Sequence, residues 1–202
     1  MAKFTDKKIV IFLVVFLSFA FFIGCSSTVT ESGEKSHKAT YSGEQQDLME
    51  KIRNNPGVFS LSLPKDYVLS SSVKLLMESD ANRIDYQIKV DSAKISMENL
   101  IMSFNLDPTM FNKLNTSSVF QSNTQNDFSI TVAPTGDTLG ATLGRAFILD
   151  DNKVDEEMLR ILKTIYVKLT YNLNGEKKQE YYKLQADVSN ELQDYLKSKI
   201  KK

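Results

Sequence analysis

The sequence predicts a mainly β fold: an antiparallel two-sheet sandwich with a short N-terminal helix, an inserted short helix and a C-terminal helix. Three observations carry this expectation. Apolar and polar residues alternate with period two over several short stretches between residues 59 and 184, each stretch keeps one polar side, and a strong hairpin signal stands near the end. One solvated face per strand argues for antiparallel sheets and against a parallel α/β arrangement, whose strands read as unbroken apolar runs. With 202 residues, 42% hydrophobic and 25% charged, the chain has room for one domain with a real core.

The elements follow in order. Ser42-Gly43-Glu44-Gln45 matches a capping box, and Leu48, Met49 and Ile52 then share one helical face before Asn54-Asn55-Pro56-Gly57 stops the turn. Phe59, Leu61 and Leu63 alternate with serines and predict a first strand; Val73, Leu75 and Met77 predict a second. Ile84, Tyr86, Ile88 and Val90 give a third, Leu100, Met102, Phe104 and Leu106 a fourth, and Phe128, Ile130 and Val132 a fifth. Residues 143–149 form a further strand of poorer alternation, and 154–163 a short helix between strands. The turn-rich stretches Asn112 to Asn126 and Pro134-Thr135-Gly136-Asp137 separate these runs.

Ile165, Val167, Leu169, Tyr171 and Leu173 alternate with Tyr166, Lys168, Thr170 and Asn172; Asn174-Gly175 then supplies the positive φ angles of a type I′ turn, and 176–184 returns. Tyr166 and Tyr181 fall on the opposite face from Tyr171 and Tyr182, where they form either a sticky patch or a packed second face. From Asp187 onwards, Val188, Leu192, Tyr195 or Leu196, and Ile200 keep helical spacing, with lysines at the end that complement the helix dipole. A basic amphipathic helix of this kind also suits contact with anionic lipid. The architecture is expected to be an immunoglobulin-like β-sandwich over 44–202, in the sense of architecture only, since the chain has no tryptophan and one cysteine. A small β-barrel is the alternative.

The N-terminus carries the address. Met1 to Lys8 holds three lysines, and an apolar run interrupted by Ser18 follows from Ile9 to Gly24, the layout of a secretory signal peptide. At about 1.5 Å per residue the run spans roughly 24 Å, short of the roughly 30 Å hydrocarbon core of a bilayer. It closes on Phe22-Ile23-Gly24-Cys25, which contains the only cysteine. This motif resembles the lipobox of bacterial lipoproteins, with Phe22 where that family usually has an aliphatic residue. The resemblance covers residues 1 to about 27 and implies that the Gly24–Cys25 bond is cut and that the Cys25 thiol receives a diacylglyceryl group. Cys25 is then lipid-anchored to the bilayer as the first mature residue, its amine N-acylated with a fatty acid such as palmitate. Two or three acyl chains are what stable anchoring needs, because one gives only marginal binding. Ser26, where such lipoproteins hold Asp if they stay at the inner membrane, implies that export to an outer membrane is permitted.

Residues 26–43 are polar, with little to bury, and read as a flexible tether with an r.m.s. reach of about 23 Å. The expected organisation is a signal peptide over 1–24, a tether over 25–43 and the sandwich over 44–202.

The chemistry of the domain is sparser. His37, the only histidine, falls on the expected tether, which cannot hold an imidazole beside a nucleophile. Zinc sites of the Cys/His kind lack their ligands. The acidic run Asp150 to Glu157 has Val154 where an EF-hand needs a ligand and no glycine after it, and reads as a loop entering a helix. Gly136, Gly140 and Gly144 recur every four residues but lead through Arg145 into a strand, and so read as turn and bulge glycines instead of a phosphate loop. Asn115-Thr116-Ser117 matches a glycosylation acceptor, which the lipobox resemblance, implying a bacterial chain, makes a chance match.

Basic and acidic residues number 25 each, and 22 against 24 without residues 1–24, so no field attracts nucleic acid. The expectation is a non-enzymatic binding or structural module at the extracytoplasmic face of the cell membrane. It needs no cofactor or metal, and its partners are the bilayer and an envelope protein or the cell wall. The alternatives are an envelope enzyme using carboxylates alone, for example on glycan, and a protein anchored by an uncleaved helix.

Overall fold

The computed structural model describes residues 31–116 and 130–200. The chain divides into units 1–34 and 35–202, and the contacts below lie within the second. Gly24 and Cys25 fall outside the described residues, as does Phe128 of the expected fifth strand.

Helix α1 (Glu31–Asn54) leads into a 3₁₀ turn at Pro56–Val58. The strands are β1 (Val68–Met77), β2 (Asn82–Asp91), β3 (Met97–Leu106), β4 (Ile130–Val132), β5 (Gly140–Ile148), β6 (Thr164–Leu173), β7 (Glu176–Gln185) and β8 (Asp187–Val188). Helix α2 (Glu156–Ile161) connects β5 to β6, and α3 (Asn190–Ile200) follows β8. Two four-stranded sheets result, in the orders β5-β2-β1-β8 and β4-β3-β6-β7. All pairings are antiparallel except β1 with β8. The chain is mainly β and sandwich-like.

Alternation predicted the core correctly where it was strongest. Ile84, Tyr86, Ile88 and Val90 of β2 pack with Leu100, Met102, Phe104 and Leu106 of β3 and with Ile165, Val167 and Leu169 of β6 in one cluster. The β6–β7 hairpin pairs Leu173 with Glu176, and its turn residues Asn174 and Gly175 have φ of 53° and 82°, as a type I′ turn requires. Gly140 and Gly144 lie on β5; a Cβ at Gly140 would stand 2.9 Å from the Val90 carbonyl oxygen, so the close β2–β5 approach there demands glycine.

Several expectations are corrected. Residues 59–63 form no strand: Ser60 makes a single bridge to Tyr182, then its Oγ donates to the Ser62 carbonyl and accepts from the Ser62 amide, turning the chain away and leaving Leu61 and Leu63 exposed. The first helix begins at Glu31, so Ser42-Gly43-Glu44-Gln45 is helix interior, and residues 31–43 of the expected tether, His37 included, have helical backbone. Once residues 44–54 are docked, the helix extends without a new nucleation cost. Val188 belongs to β8, not to the C-terminal helix. Of the apolar residues of that helix, Leu192 and Leu196 are fully buried in the main core and so are not presented to lipid.

The expected solvated face is absent from β6, whose residues Ile165 to Tyr171 are buried on both sides. Its outer side lies under α1. Among the described residues, no helix is long and apolar enough to cross a membrane.

Candidate functional site

The β6 register alternates Ile165, Val167, Leu169 and Tyr171 inward with Tyr166, Lys168 and Thr170 outward. Pairing places Ser103 opposite Lys168 and Asn105 opposite Tyr166, so the outward residues of β3 and β6 form one polar stripe. Helix α1 covers it. Glu44 and Asp47 lie one turn apart, and Leu48 and Ile52 continue the same side of the helix.

Lys168, 2% exposed, sits between the two carboxylates, with Nζ 2.8 Å from Glu44 Oε2 and 2.6 Å from Asp47 Oδ2. Thr170 Oγ1 donates to Glu44 Oε2 at 3.1 Å, and Tyr181 OH donates to Asp47 Oδ2 at 2.6 Å. Asn105 reaches the Met49 sulfur. Beside this polar seam, Leu48 and Ile52 meet Phe59 and Tyr166 in a small apolar cluster separate from the main core, with Phe59 edge-on to Tyr166 at 4.9 Å and to Tyr181 at 5.8 Å. Tyr166 and Tyr181 therefore form a covered face and no sticky patch.

Two charges of one sign meet one of the other, and Lys51, 4.0 Å from Asp47, adds a second cation at the rim. Removing Lys168 would leave Glu44 buried without its counter-charge, a change that costs about 3–5 kcal/mol in typical buried pairs. Burial alone would raise the Asp47 carboxyl, but hydrogen bonds from Lys168 and Tyr181 and the charges of Lys168 and Lys51 outweigh it and hold it below its ordinary 3.8. Burial, the bond to Asp47 and the nearby carboxylates push the Tyr181 phenol up. A depressed acid stabilises docking above its unfolded pKa and ceases to do so as pH falls through the lower folded value. Docking of α1 should accordingly weaken on acidification below about pH 4. Amide NMR shifts of Leu48 and Ile52 titrating ahead of those of Ile84 and Ile88 would register this.

A second polar group lies where the segment before β1 meets the middle of β7. Tyr67 OH donates to Glu180 and lies 3.0 Å from Tyr182 OH. Burial together with the Glu180 carboxylate pushes the Tyr67 and Tyr171 hydroxyls up. An open cleft of about 580 Å³ borders it, lined in part by Ser62, Pro64, Asp66 and Gln179. Hydroxyls and carboxylate satisfy one another here, so the group braces residues 60–67 against β7.

The acidic run is consumed structurally. Asp150 caps the 3₁₀ turn Asp151–Lys153, and Asp155 caps α2 by accepting from the Met158 amide at 2.9 Å. Lys113 bridges Asp155 and Glu157, while Asp151 holds Tyr195 and Lys199 of α3. Among the described residues, no three His, Cys, Asp or Glu side chains are grouped to hold a metal.

Sequence reading missed the Lys168 seam. The signal was present as a lysine between Tyr166 and Thr170 in the middle of a strand, and as two carboxylates one turn apart beside an apolar stripe. Neither distinguishes a buried polar seam from a solvated face. No protein family, curated protein or solved structure matches this chain.

Proposed function

We propose that this chain is a bacterial lipoprotein, cleaved between Gly24 and Cys25 and acylated on Cys25, that holds a non-catalytic module at the extracytoplasmic face of the cell envelope. The observation that carries the proposal is the lone cysteine, placed directly after Ile23-Gly24 at the end of an apolar run with a basic head. The bilayer is its first partner, and an envelope protein or the cell wall its second.

The module reads further as an immunoglobulin-like sandwich. Strand order supports this: β2 pairs β1 and β5 as strand B pairs A and E, and β4-β3-β6-β7 follows the order C′-C-F-G. Such modules present loops and edges to partners more often than they carry catalysis, which suits the structural use of the acidic residues described above.

Metabolic labelling with a palmitate analogue tests the lipoprotein reading. Wild-type protein should take up label and remain with membranes, while Cys25→Ala should lose the label completely and keep residues 1–24. Unlabelled wild type, or label unchanged in Cys25→Ala, would replace this reading with that of an uncleaved anchor.

A further inference from the structure

Among the described residues, the five buried polar or charged side chains are Glu44, Ser103, Asn105, Lys168 and Thr170. All five lie in the seam between α1 and the outer face of the β4-β3-β6-β7 sheet. The Ser103 hydroxyl finds no hydrogen-bond partner there. A core that never opens is normally apolar at such positions, because each buried polar group carries a desolvation cost that its bonds only offset. A face that is alternately covered and exposed has the opposite need: it must stay soluble when bare. The outward residues of β3, β6 and β7 meet that need.

Among the described side chains, the apolar hold on α1 is correspondingly small: Leu48, Ile52 and Met49 pack against Phe59, Tyr166 and Tyr181, and this cluster shares no residue with the main core. Phe59 and Ser60 are pinned separately: the Ser60 amide donates to the Tyr181 carbonyl at 2.9 Å, and its carbonyl accepts from the Lys183 amide at 3.0 Å. Between this pin and α1 lie Asn55, Pro56, Gly57 and Val58, of which none is buried, and Gly57 has open space around its Cα. A short exposed joint thus separates an element held by a polar seam from a fixed point on the sheet.

We propose that α1 is a hinged strap, opening about residues 55–58 as one unit while the sandwich stays folded, and that the Lys168 bridge to Glu44 and Asp47 is its latch. Opening returns three charges and the Ser103 hydroxyl to water, so much of the lost attraction is regained as hydration. It also bares a polar, tyrosine-flanked face on β3, β6 and β7. The inference holds whether or not Cys25 is acylated. In an acylated chain, opening adds roughly 16 Å between the sandwich and residue 44, the length of the docked turns.

Hydrogen exchange of the full chain in detergent micelles at increasing denaturant decides the matter. Amides of 44–54 should be protected, yet at least a hundredfold less than those of 84–90, and should exchange through an opening with little denaturant dependence. Lys168→Met should lower protection of 44–54 at least tenfold further and leave 84–90 unchanged; Asp47→Asn should do the same to a smaller extent and serves if Lys168→Met does not fold. Equal protection and equal denaturant dependence of 44–54 and 84–90 in the wild type would overturn the strap, as would a complete lack of protection over 44–54. Parallel loss in both regions in the variants would overturn the latch.

Discussion

Tyr86→Ala should lower the unfolding free energy by about 4 kcal/mol, the middle of the range for removing a fully buried aromatic ring. Tyr86 is 0% exposed, stands edge-on to Phe147 at 5.7 Å and 83°, and donates its hydroxyl to the Leu162 carbonyl at 3.1 Å. It joins β2 to the end of α2 and, through Phe147, to β5, while Phe111 packs on Phe147 from the 3₁₀ segment Pro108–Lys113. Truncation opens a cavity among elements that strand pairing holds apart, so collapse cannot refill it. Burial pushes the phenol up, so the hydroxyl remains a donor at any pH the fold survives. Tyr86→Phe keeps the ring and strands one carbonyl, which should cost about 1 kcal/mol. At about 2–4 °C per kcal/mol for a domain of this size, thermal unfolding followed by circular dichroism should place the alanine variant about 8–16 °C below wild type and the phenylalanine variant within about 4 °C. A drop under about 3 °C for Tyr86→Ala would mean that the ring is not held as described.

Period-two patterning exposed the inner faces of β2, β3 and β6 because their residues are apolar there and polar opposite. The hairpin was equally legible, since Asn174-Gly175 has a local backbone requirement that no distant contact sets. The failures share one cause: the outcome depended on a second element that pattern cannot place. Phe59-Ser60-Leu61-Ser62-Leu63 alternates as a strand should, but the Ser60 turn and the lack of a continuous partner along β7 end the pairing after one residue. Tyr166, Lys168 and Thr170 look solvated by composition and are buried by α1. Val188 fits a helical face equally well, and β1 claims it instead through the parallel pair Val73–Val188.

The same logic orders the three polar clusters. Each fastens a segment outside the main strands to the sandwich: Lys168 holds α1, Glu180 holds the residue 60–67 segment through Tyr67, and Asp151 holds α3 through Tyr195 and Lys199. They differ in what lies beside the polar contact. The Asp151 group flanks Leu192 and Leu196, which belong to the main core, whereas the Lys168 group flanks only the small cluster under α1. Fastening of the C-terminal helix should therefore be part of global stability, and fastening of the first helix should not.

Leu192→Ala tests that contrast and should destabilise the whole domain by about 2–5 kcal/mol, the range for large-to-small changes at buried sites. Leu192 is 0% exposed and sits one turn from Leu196, also 0%, so α3 seals the sandwich against β1 and α2 through both. Its first turn is held by Ser189 Oγ, which accepts from the Leu192 amide at 3.2 Å, and its middle by Tyr195, which accepts from Asn82 Nδ2 at 2.7 Å and donates to Asp151 Oδ2 at 2.8 Å. With its first turn and its middle fixed, the helix cannot slide to fill the space, which favours the upper half of the range. Exposed Lys197, by contrast, should tolerate glutamine within about 0.5 kcal/mol. If the helix instead served lipid contact, the ranking would reverse: the lysine change would weaken binding to anionic vesicles and the leucine change would leave unfolding untouched. Chemical denaturation of both variants, read beside vesicle sedimentation, separates the two. A shifted midpoint for Leu192→Ala with unchanged sedimentation for Lys197→Gln is the expected result, because a leucine already committed to the core has no apolar surface left to give a membrane.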